Sequence, residues 1–285
     1  MEKLLIKGGN ILKGEISCSG AKNAALPMIA ATILNDEEII FRNLPYLQDI
    51  TTMFELLGSM GANISLDESM DFSICANKLT DLEARYELVK TMRASILVLG
   101  PMVTKYGYAK IALPGGCAIG SRPVNFHLDA LKKLGASISL ENGYIEAKAD
   151  RLIGADIVFD GITVTGTENI MMAACLAKGK TTLRNVAMEP EVSDLADFLN
   201  LMGAKIKGAG SELIEIEGVE CLNSTTYTIP ADRIEAGTYL VAAAATGGEI
   251  KINSIQPERL NNVIERLKLA GALIEVNANS ISLDM

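Results

Sequence analysis

The chain of 285 residues repeats one pattern four times, and this repetition constrains its fold more than any other feature. In each copy, a segment with helical periodicity ends in a Gly-Ala pair and is followed by a short strand-like segment. The pairs begin at Gly61, Gly135, Gly203 and Gly271, at intervals of 74, 68 and 68 residues. Units of this length exceed the common solenoid repeats, so the spacing predicts α/β modules that pack together.

The copy around Gly135 illustrates why this pattern predicts a helix and a strand. Residues 126–134 carry apolar side chains at helical spacing, with charged side chains opposite them. Gly135 stands where helices commonly end in a left-handed residue, a conformation that glycine adopts without strain. Residues 137–140 then alternate between polar and apolar side chains, as in a half-buried strand.

A second pattern lies between these copies, namely a helix rich in small residues, a turn, and a strand that ends near an asparagine. It occurs at residues 21–43, 167–185 and 233–253, and more loosely at 92–113. Apolar helices with mainly small side chains are typically buried on nearly all sides. The two patterns together predict an α/β protein built from repeated units.

The two ends of the chain predict how these units divide into domains. Residues 1–20 have the pattern of a strand pair without a helix, and the sequence stops directly after the strand of the fourth copy. A boundary near residues 229–233 would place both ends in one incomplete domain. We therefore predict a complete domain over residues 21–230 and an incomplete second domain formed by residues 1–20 and 231–285.

Composition excludes several classes of protein. The 26 basic and 35 acidic residues give a net charge of −9, which disfavours a nucleic-acid partner. The five cysteines are widely spaced without a CxxC pair, and there is one histidine, so neither disulfides nor a metal site is expected. No signal-peptide pattern and no apolar run of about 18 residues occurs. We expect a cytoplasmic protein with no membrane partner and no cofactor.

The most unusual stretch is LPGGCAIGSRP at residues 113–123, where three glycines and two prolines in eleven residues predict a loop. It contains Cys117, five residues before Arg122. Two interpretations of this cysteine remain open: a reactive thiol whose pKa is lowered by a nearby cation, or a small buried hydrophobic residue. His127, which follows the loop, is interpreted as a hydrogen-bonded residue rather than a catalyst.

Three further basic residues occur at positions where a positive charge indicates either an anionic ligand or an ion-pair partner. Lys22 follows a strand and opens an Ala-rich helix, and the start of a helix attracts anions such as phosphate. Arg93 interrupts an apolar run, and Arg233 lies at a strand-to-helix junction, where an unpaired buried charge would be costly. Each could instead pair with a neighbouring carboxylate, such as Asp232 or Glu235 in the case of Arg233.

Five segments of the sequence are similar to one enzyme family. They are SGAKNAALP, TMRAS, LPGGCAIGSRP, VTGTENIMMAA and PADRIEAGTYLVAAA. Together they resemble the UDP-N-acetylglucosamine enolpyruvyl (1-carboxyvinyl) transferases over the whole chain, and PGGC followed by IGxRP is the most specific element. The sister family, the shikimate-phosphate enolpyruvyl transferases, shares the fold but lacks this cysteine loop, which argues against a shikimate enzyme.

The resemblance implies the first committed step of peptidoglycan synthesis, and with it roles in cell-wall biogenesis, cell shape and cell division. Phosphoenolpyruvate and UDP-N-acetylglucosamine would react to give the enolpyruvyl ether of the 3′-hydroxyl and phosphate. The resemblance also implies two domains of an inside-out α/β barrel type, each built from three repeats, with the active site between them. It implies no cofactor and no metal.

The same resemblance implies roles for individual residues. Cys117 matches the general acid that protonates the methylene carbon of phosphoenolpyruvate and can form a covalent adduct. Lys22 and Asn23 match phosphoenolpyruvate-binding residues, whereas Arg233 and His127 are given supporting roles. The residues matched to UDP-N-acetylglucosamine binding are Arg93, Arg122, Pro123, Val124, Asn125, Phe126, Gly161, Thr163, Val164 and Thr165.

The sequence departs from the family pattern at three points. Some relatives carry lysine at the position of Gly161, and Asn125 often reads as aspartate in relatives. Family members also continue beyond the position of Met285, and that further part carries the general-base aspartate. We therefore expect a truncated chain with little or no activity alone. The alternative is a noncatalytic protein that keeps a UDP-sugar-binding half-site.

Overall fold

The computed structural model describes residues 3, 5–113 and 124–285. Three of the predicted site residues, Cys117, Arg122 and Pro123, lie outside this part of the chain. The chain divides into a smaller unit, Met1–Ala21 with Pro230–Met285, and a larger unit, Lys22–Ile229.

The described residues form α-helices, strands and short 3-10 helices. The α-helices are α1 (Lys22–Ala31), α2 (Gln48–Met60), α3 (Tyr86–Val89), α4 (Leu99–Tyr106), α5 (Asn125–Lys133), α6 (Val164–Ala174), α7 (Pro190–Leu201), α8 (Arg233–Ala245) and α9 (Asn261–Leu269). The first eight strands are β1 (Lys13–Ser17), β2 (Ile39–Arg42), β3 (Asn63–Leu66), β4 (Phe72–Cys75), β5 (Glu83–Ala84), β6 (Tyr108–Ala112), β7 (Ser137–Glu141) and β8 (Tyr144–Lys148). The others are β9 (Asp156–Val158), β10 (Lys180–Arg184), β11 (Lys205–Lys207), β12 (Leu213–Glu217), β13 (Thr226–Thr228), β14 (Glu249–Asn253), β15 (Leu273–Asn277) and β16 (Ser280–Asp284). The 3-10 helices are Thr32–Leu34, Arg93–Val98 and Pro257–Leu260.

These strands form four sheets that share one topology. In the order β5-β6-β8-β7, the edge strand β5 is parallel to β6, and the following neighbours are antiparallel. The orders β9-β10-β12-β11, β13-β2-β4-β3 and β1-β14-β16-β15 repeat this arrangement. The predicted α/β architecture of repeated units is confirmed. Within the described ranges, however, each sheet is open. The inside-out α/β barrel that the resemblance implies therefore contains no closed ring of strands among the described residues.

Each Gly-Ala pair ends a helix in the same way, as the sequence predicts. The glycine φ angles at positions 61, 135, 203 and 271 are +110°, +96°, +101° and +107°. In every copy, the alanine N–H donates to the carbonyl five residues earlier at 3.0 Å, and the glycine N–H donates to the carbonyl three residues earlier. This is the Schellman ending, which satisfies the last carbonyls of a helix and turns the chain sharply into the strand.

The small-residue helices form the interior of the larger unit. In α1 and α6, residues 24–31 and 166–174 are all buried. The helices that precede the Gly-Ala pairs, such as α5, bury only one face. The reason is steric, because small residues let helix backbones approach closely enough to fill the space among the sheets.

Two edge strands are connected differently from the others. β9 leads through α6 into β10, its own parallel neighbour. β1, by contrast, leads into α1 and β2 but pairs with β14, whereas β13 leads into α8 and β14 but pairs with β2. Each of these two strands thus pairs with the strand that follows the other one in the chain. The chain passes from one unit to the other once after β1 and once after β13.

The smaller unit has its own core. Buried residues of α8 and α9, including Leu240 and Ile264, pack with Ile252 and Ile281 of its sheet. None of the described helices has both the length and the apolar character that a membrane span requires.

Candidate functional site

Three segments that contain predicted substrate residues meet at His127 in the larger unit. The His127 side chain is 3% exposed. Its Nδ1 lies 2.9 Å from Nδ2 of Asn169 in α6, and its Nε2 lies 3.4 Å from Oγ1 of Thr165, also in α6. Burial and, to a smaller extent, the positive charge of Arg93 together lower the pKa of His127 to about 4. The structure therefore brings Arg93, His127 and Thr165 into one cluster.

Asn169 connects this cluster to the helix that carries Arg93. Its Oδ1 accepts a hydrogen bond from the backbone N–H of Gly100 at 2.7 Å, and its Nδ2 donates to the carbonyl of Ile96 at 3.0 Å. Ile96 lies in the 3-10 helix that begins at Arg93, and Gly100 lies in α4, which continues it. The side chain of Asn169 thus holds this segment against α6.

The start of α6 is shaped by Thr163 and Gly161. Thr163 is the N-cap, and its Oγ1 accepts a hydrogen bond from the N–H of Gly166 at 3.2 Å. The ring of Phe126 covers Gly161, because a Cβ atom built there would lie 3.1 Å from Cζ of that ring. A side chain at position 161 therefore requires the Phe126 ring to move, which gives a physical reason for glycine at this departure from the family pattern.

The remaining residues of this run are less enclosed. Val124 is half-buried, and its carbonyl accepts a hydrogen bond from the N–H of His127 at 3.0 Å. Asn125, the first residue of α5, is exposed. Val164 and Thr165 are half-buried in the first turn of α6. The predicted nucleotide-sugar residues in the described part thus line the starts of α5 and α6.

Lys22 and Asn23 lie in the first turn of α1, where Asn23 is exposed. Lys22 Nζ forms an ion pair of 2.7 Å with Asp49 Oδ2 of α2, and the two side chains are 36% and 35% exposed. Sequence reasoning did not identify Asp49, which lies 27 residues away. A pair this exposed to solvent contributes little to stability, so an anion can replace Asp49 as the partner of Lys22 at low cost.

Arg233 lies in the smaller unit, at the first residue of α8. The two carboxylates considered as its partners also bind elsewhere. Asp232 caps α8 by accepting hydrogen bonds from backbone N–H groups at 2.7 and 3.2 Å. Glu235 accepts from the N–H and hydroxyl of Ser19 at 2.8 and 2.7 Å. Arg233 and Arg259 line a cavity of about 450 Å³ on this unit.

The cysteines in the described part differ in exposure. Cys18 and Cys175 are buried. Burial raises the pKa of the Cys175 thiol to about 12, and burial together with the charges of Glu235 and Asp232 raises that of Cys18 to about 12. Cys75 is half-buried and Cys221 is exposed. No cluster of three or more histidine, cysteine, aspartate or glutamate residues suited to a metal ion occurs within the described ranges.

A buried carboxyl group that the sequence analysis did not single out lies next to Asn169. Glu168 is 2% exposed, and its Oε1 has no hydrogen-bond partner among the described residues. Burial raises the pKa of Glu168 well above its ordinary value, and the nearby carboxylates of Glu191 and Glu189 raise it further. The signal in the sequence was the polar run Thr-Glu-Asn inside an otherwise apolar helix, where each polar group needs a partner.

We expect Glu168→Gln to raise the free energy of unfolding at pH 7. Because the folded state raises the pKa of Glu168, folding at pH 7 opposes the ionised form that the unfolded chain holds, and this costs free energy. The neutral amide removes this cost. Urea unfolding should show that the gain shrinks as the pH falls to 4.5 and below, because Glu168 of the unfolded chain also becomes protonated there.

The matched control for this prediction is Glu55→Gln, since Glu55 is an exposed residue of α2 in the same unit. It should change the free energy of unfolding by less than about 0.5 kcal/mol at any of these pH values. A Glu168→Gln protein that is less stable than wild type at pH 7 would show that Glu168 is ionised and paired in the folded state.

Comparison with known proteins relates this chain to one family. The family model of EPSP synthase (3-phosphoshikimate 1-carboxyvinyltransferase) matches residues 6–285. The chain is 53% identical over 285 residues to a UDP-N-acetylglucosamine 1-carboxyvinyltransferase of Hydrogenovibrio crunogenus, a match covering 100% of this chain and 68% of that protein. It is 54% identical over 286 residues to the protein of that name from Coxiella burnetii, covering 100% of this chain and 66% of that protein.

Solved structures show the same fold at lower identity. The enolpyruvyl transferase NikO from Streptomyces tendae matches 97% of this chain and 66% of its own, with a TM-score of 0.84 and 22% identity. EPSP synthase from Acinetobacter baumannii matches 97% of this chain and 64% of its own, with a TM-score of 0.75 and 19% identity. The chain thus spans about two thirds of the length of the relatives it matches. On the family model and on relatives that share more than half of its residues, the chain belongs to the enolpyruvyl (1-carboxyvinyl) transferase family.

Proposed function

We propose that this protein transfers the enolpyruvyl group of phosphoenolpyruvate to the 3′-hydroxyl of UDP-N-acetylglucosamine, with release of phosphate. The observation that carries the proposal is the cluster around His127. Residues matched to substrate binding from positions 93, 126, 161 and 165, far apart in the sequence, lie in neighbouring segments of one unit. The names of the relatives at 53% and 54% identity support the same substrate.

The chemistry requires a proton donor and positive charge. In the proposed reaction, the Cys117 thiol protonates the methylene carbon of phosphoenolpyruvate, and the 3′-hydroxyl oxygen attacks the oxocarbenium carbon that results. The hydroxyl proton leaves to a base. Loss of a proton from the new methyl group, together with loss of phosphate, then restores the double bond. Thiols are suitable donors because their pKa can be brought close to neutral pH.

Basic side chains would hold the two anionic substrates together. Lys22 and Asn23 would bind phosphoenolpyruvate, and Arg93 and Arg122 would offset the phosphate charges that otherwise repel each other and a chain of net charge −9. If the phosphate group replaced Asp49 as the ion-pair partner of Lys22, Lys22 would be available for this role. Arg233 is proposed to have a supporting role.

A second candidate function is a UDP-sugar-binding half-site without catalysis. Two observations favour it. The chain spans only about two thirds of the length of its relatives, and the His127 cluster lies wholly within the larger unit. In this proposal, residues 21–230 form a complete domain. Residues 1–20 and 231–285 form part of a second domain.

Phosphate release distinguishes the two functions. Any phosphate that the purified protein releases should require both phosphoenolpyruvate and UDP-N-acetylglucosamine, and Cys117→Ser should reduce the rate of that release at least 100-fold, the scale of general acid catalysis. Cys221→Ser, which removes an exposed thiol, is the matched control and should leave the rate unchanged. Binding of the UDP-sugar without release would favour the half-site, and no binding of either substrate would contradict both functions.

The proposal also includes the cellular setting. A role in peptidoglycan synthesis would link the protein to cell-wall biogenesis, cell shape and cell division. The cytoplasm is the compartment that fits best, because Cys18, Cys75, Cys175 and Cys221 are free thiols, as is usual in reducing compartments.

A further inference from the structure

The orientation of the Asn169 amide is determined by two backbone groups. Asn169 is completely buried. Its Oδ1 lies 2.7 Å from the N–H of Gly100, and its Nδ2 lies 3.0 Å from the carbonyl of Ile96. A backbone N–H can only donate and a backbone carbonyl can only accept. Exchanging the oxygen and nitrogen of this amide would therefore oppose like groups at both contacts, so the assignment follows from chemistry.

This orientation decides the protonation state of His127. The second hydrogen of Asn169 Nδ2 is directed at His127 Nδ1, 2.9 Å away. Nδ1 must therefore accept and carries no proton, because a proton there would place two donors against each other. A neutral imidazole then carries its proton on Nε2, which lies 3.4 Å from Thr165 Oγ1. The Thr165 oxygen is the acceptor in this weak contact, so its own hydroxyl hydrogen is directed elsewhere.

We propose that Asn169 is a positioning residue that holds His127 as the neutral Nε2–H tautomer, and thereby orients Thr165 in the first turn of α6 towards the nucleotide sugar. The identity of that ligand rests on the proposed function, whereas the tautomer does not. The low pKa of His127, caused by burial and then by Arg93, agrees with a neutral ring. Asn169 also joins α6 to α4 through Gly100, so the test must separate positioning from packing.

The single histidine of the chain makes this test direct, because an imidazole nitrogen NMR spectrum contains the signals of His127 alone. The wild-type protein should show an unprotonated Nδ1 and a protonated Nε2 at pH 7. Asn169→Asp places a carboxylate where the amide donor was, so Nδ1 should become protonated. We expect the affinity for UDP-N-acetylglucosamine, measured by calorimetry, to weaken about tenfold in this variant.

A second variant guards against misfolding of the first. His127→Gln keeps an N–H donor in the region of Nε2, so it should bind UDP-N-acetylglucosamine within about threefold of wild type, whereas His127→Leu should lose about tenfold. Equal affinities of the Gln and Leu variants would overturn the role of the Nε2–H group. Circular dichroism of each variant establishes that the fold is retained.

Failure of this inference differs from failure of the proposed function. A protonated Nδ1 in the wild-type protein, or an unchanged tautomer in Asn169→Asp, overturns the assignment to Asn169 even if the substrate binds. Affinity that stays unchanged while the tautomer switches overturns the positioning role. If the wild-type protein does not bind UDP-N-acetylglucosamine while the tautomer behaves as expected, the proposed substrate is wrong and the control of His127 by Asn169 is supported.

Discussion

Gly100→Ala should destabilise the larger unit by about 3 kcal/mol or more. A Cβ atom at this position would lie 2.5 Å from the backbone oxygen of Asn169 and 3.2 Å from Cβ of Ala173. Both atoms belong to the buried helix α6, so neither can move aside as the end of a flexible side chain would. The added methyl group would also displace the Asn169 side chain and leave buried polar groups without their hydrogen bonds, which is costly in itself.

The matched control is the same substitution at another helical glycine. Gly58 lies in α2 on the surface, and a Cβ atom there would meet nothing within 4 Å. Alanine is the better helix former, so Gly58→Ala should stabilise the protein by about 0.5–1 kcal/mol. Urea unfolding of both variants at pH 7 measures whether each substitution raises or lowers the free energy of unfolding. If Gly100→Ala changes the free energy of unfolding by less than about 0.5 kcal/mol, the close approach of α4 and α6 is wrong.

The free energy of unfolding should fall by about 3 kcal/mol between pH 6.5 and pH 4 on account of His127 alone, at 1.36 kcal/mol per pKa unit. The folded protein holds this ring neutral down to about pH 4, while the unfolded chain takes up a proton near pH 6.5. Above pH 6.5 both states are neutral, so the contribution does not change there. As the pH falls below 6.5, protons bind the unfolded state and favour it.

His127→Gln isolates this contribution, because the amide side chain does not titrate. The wild-type curve of unfolding free energy against pH should be steeper than that of the variant over this interval, and the two should run parallel above pH 7. Glu168 contributes a slope of opposite sign in both proteins, so it cancels in the difference. Parallel curves down to pH 4 would mean that His127 protonates in the folded state as easily as in the unfolded chain.

Much of the local structure could be predicted from residues that lie close together in the chain. Each Gly-Ala pair predicts a helix end, because glycine takes the left-handed conformation and the hydrogen bonds that complete the ending reach back only three to five residues. The Ala-rich run in α1 predicts a buried helix for a similar reason, since its composition alone sets how closely neighbours can pack. Such features depend on short stretches of sequence.

The His127 cluster could be predicted only in part. The resemblance supplied His127, Thr165 and Phe126, but not the amide that orients the imidazole. Asn169 forms hydrogen bonds to residues 42, 69 and 73 positions away, and no periodicity links such positions. Its place in the run Thr-Glu-Asn indicated a polar group in an apolar helix without indicating its partner. The same limit applies to Asp49 and Lys22.

The order of amino acids alone specified the repeated α/β unit, its helix ends and its buried helices, because these follow from backbone conformation and from the spacing of apolar side chains. Only the folded chain decided that β1 pairs with β14 and β13 with β2, since edge strands of five and three residues carry too few side chains to specify which neighbour they join. It likewise decided the state of His127, because a tautomer depends on which donors and acceptors packing brings within about 3 Å of the ring.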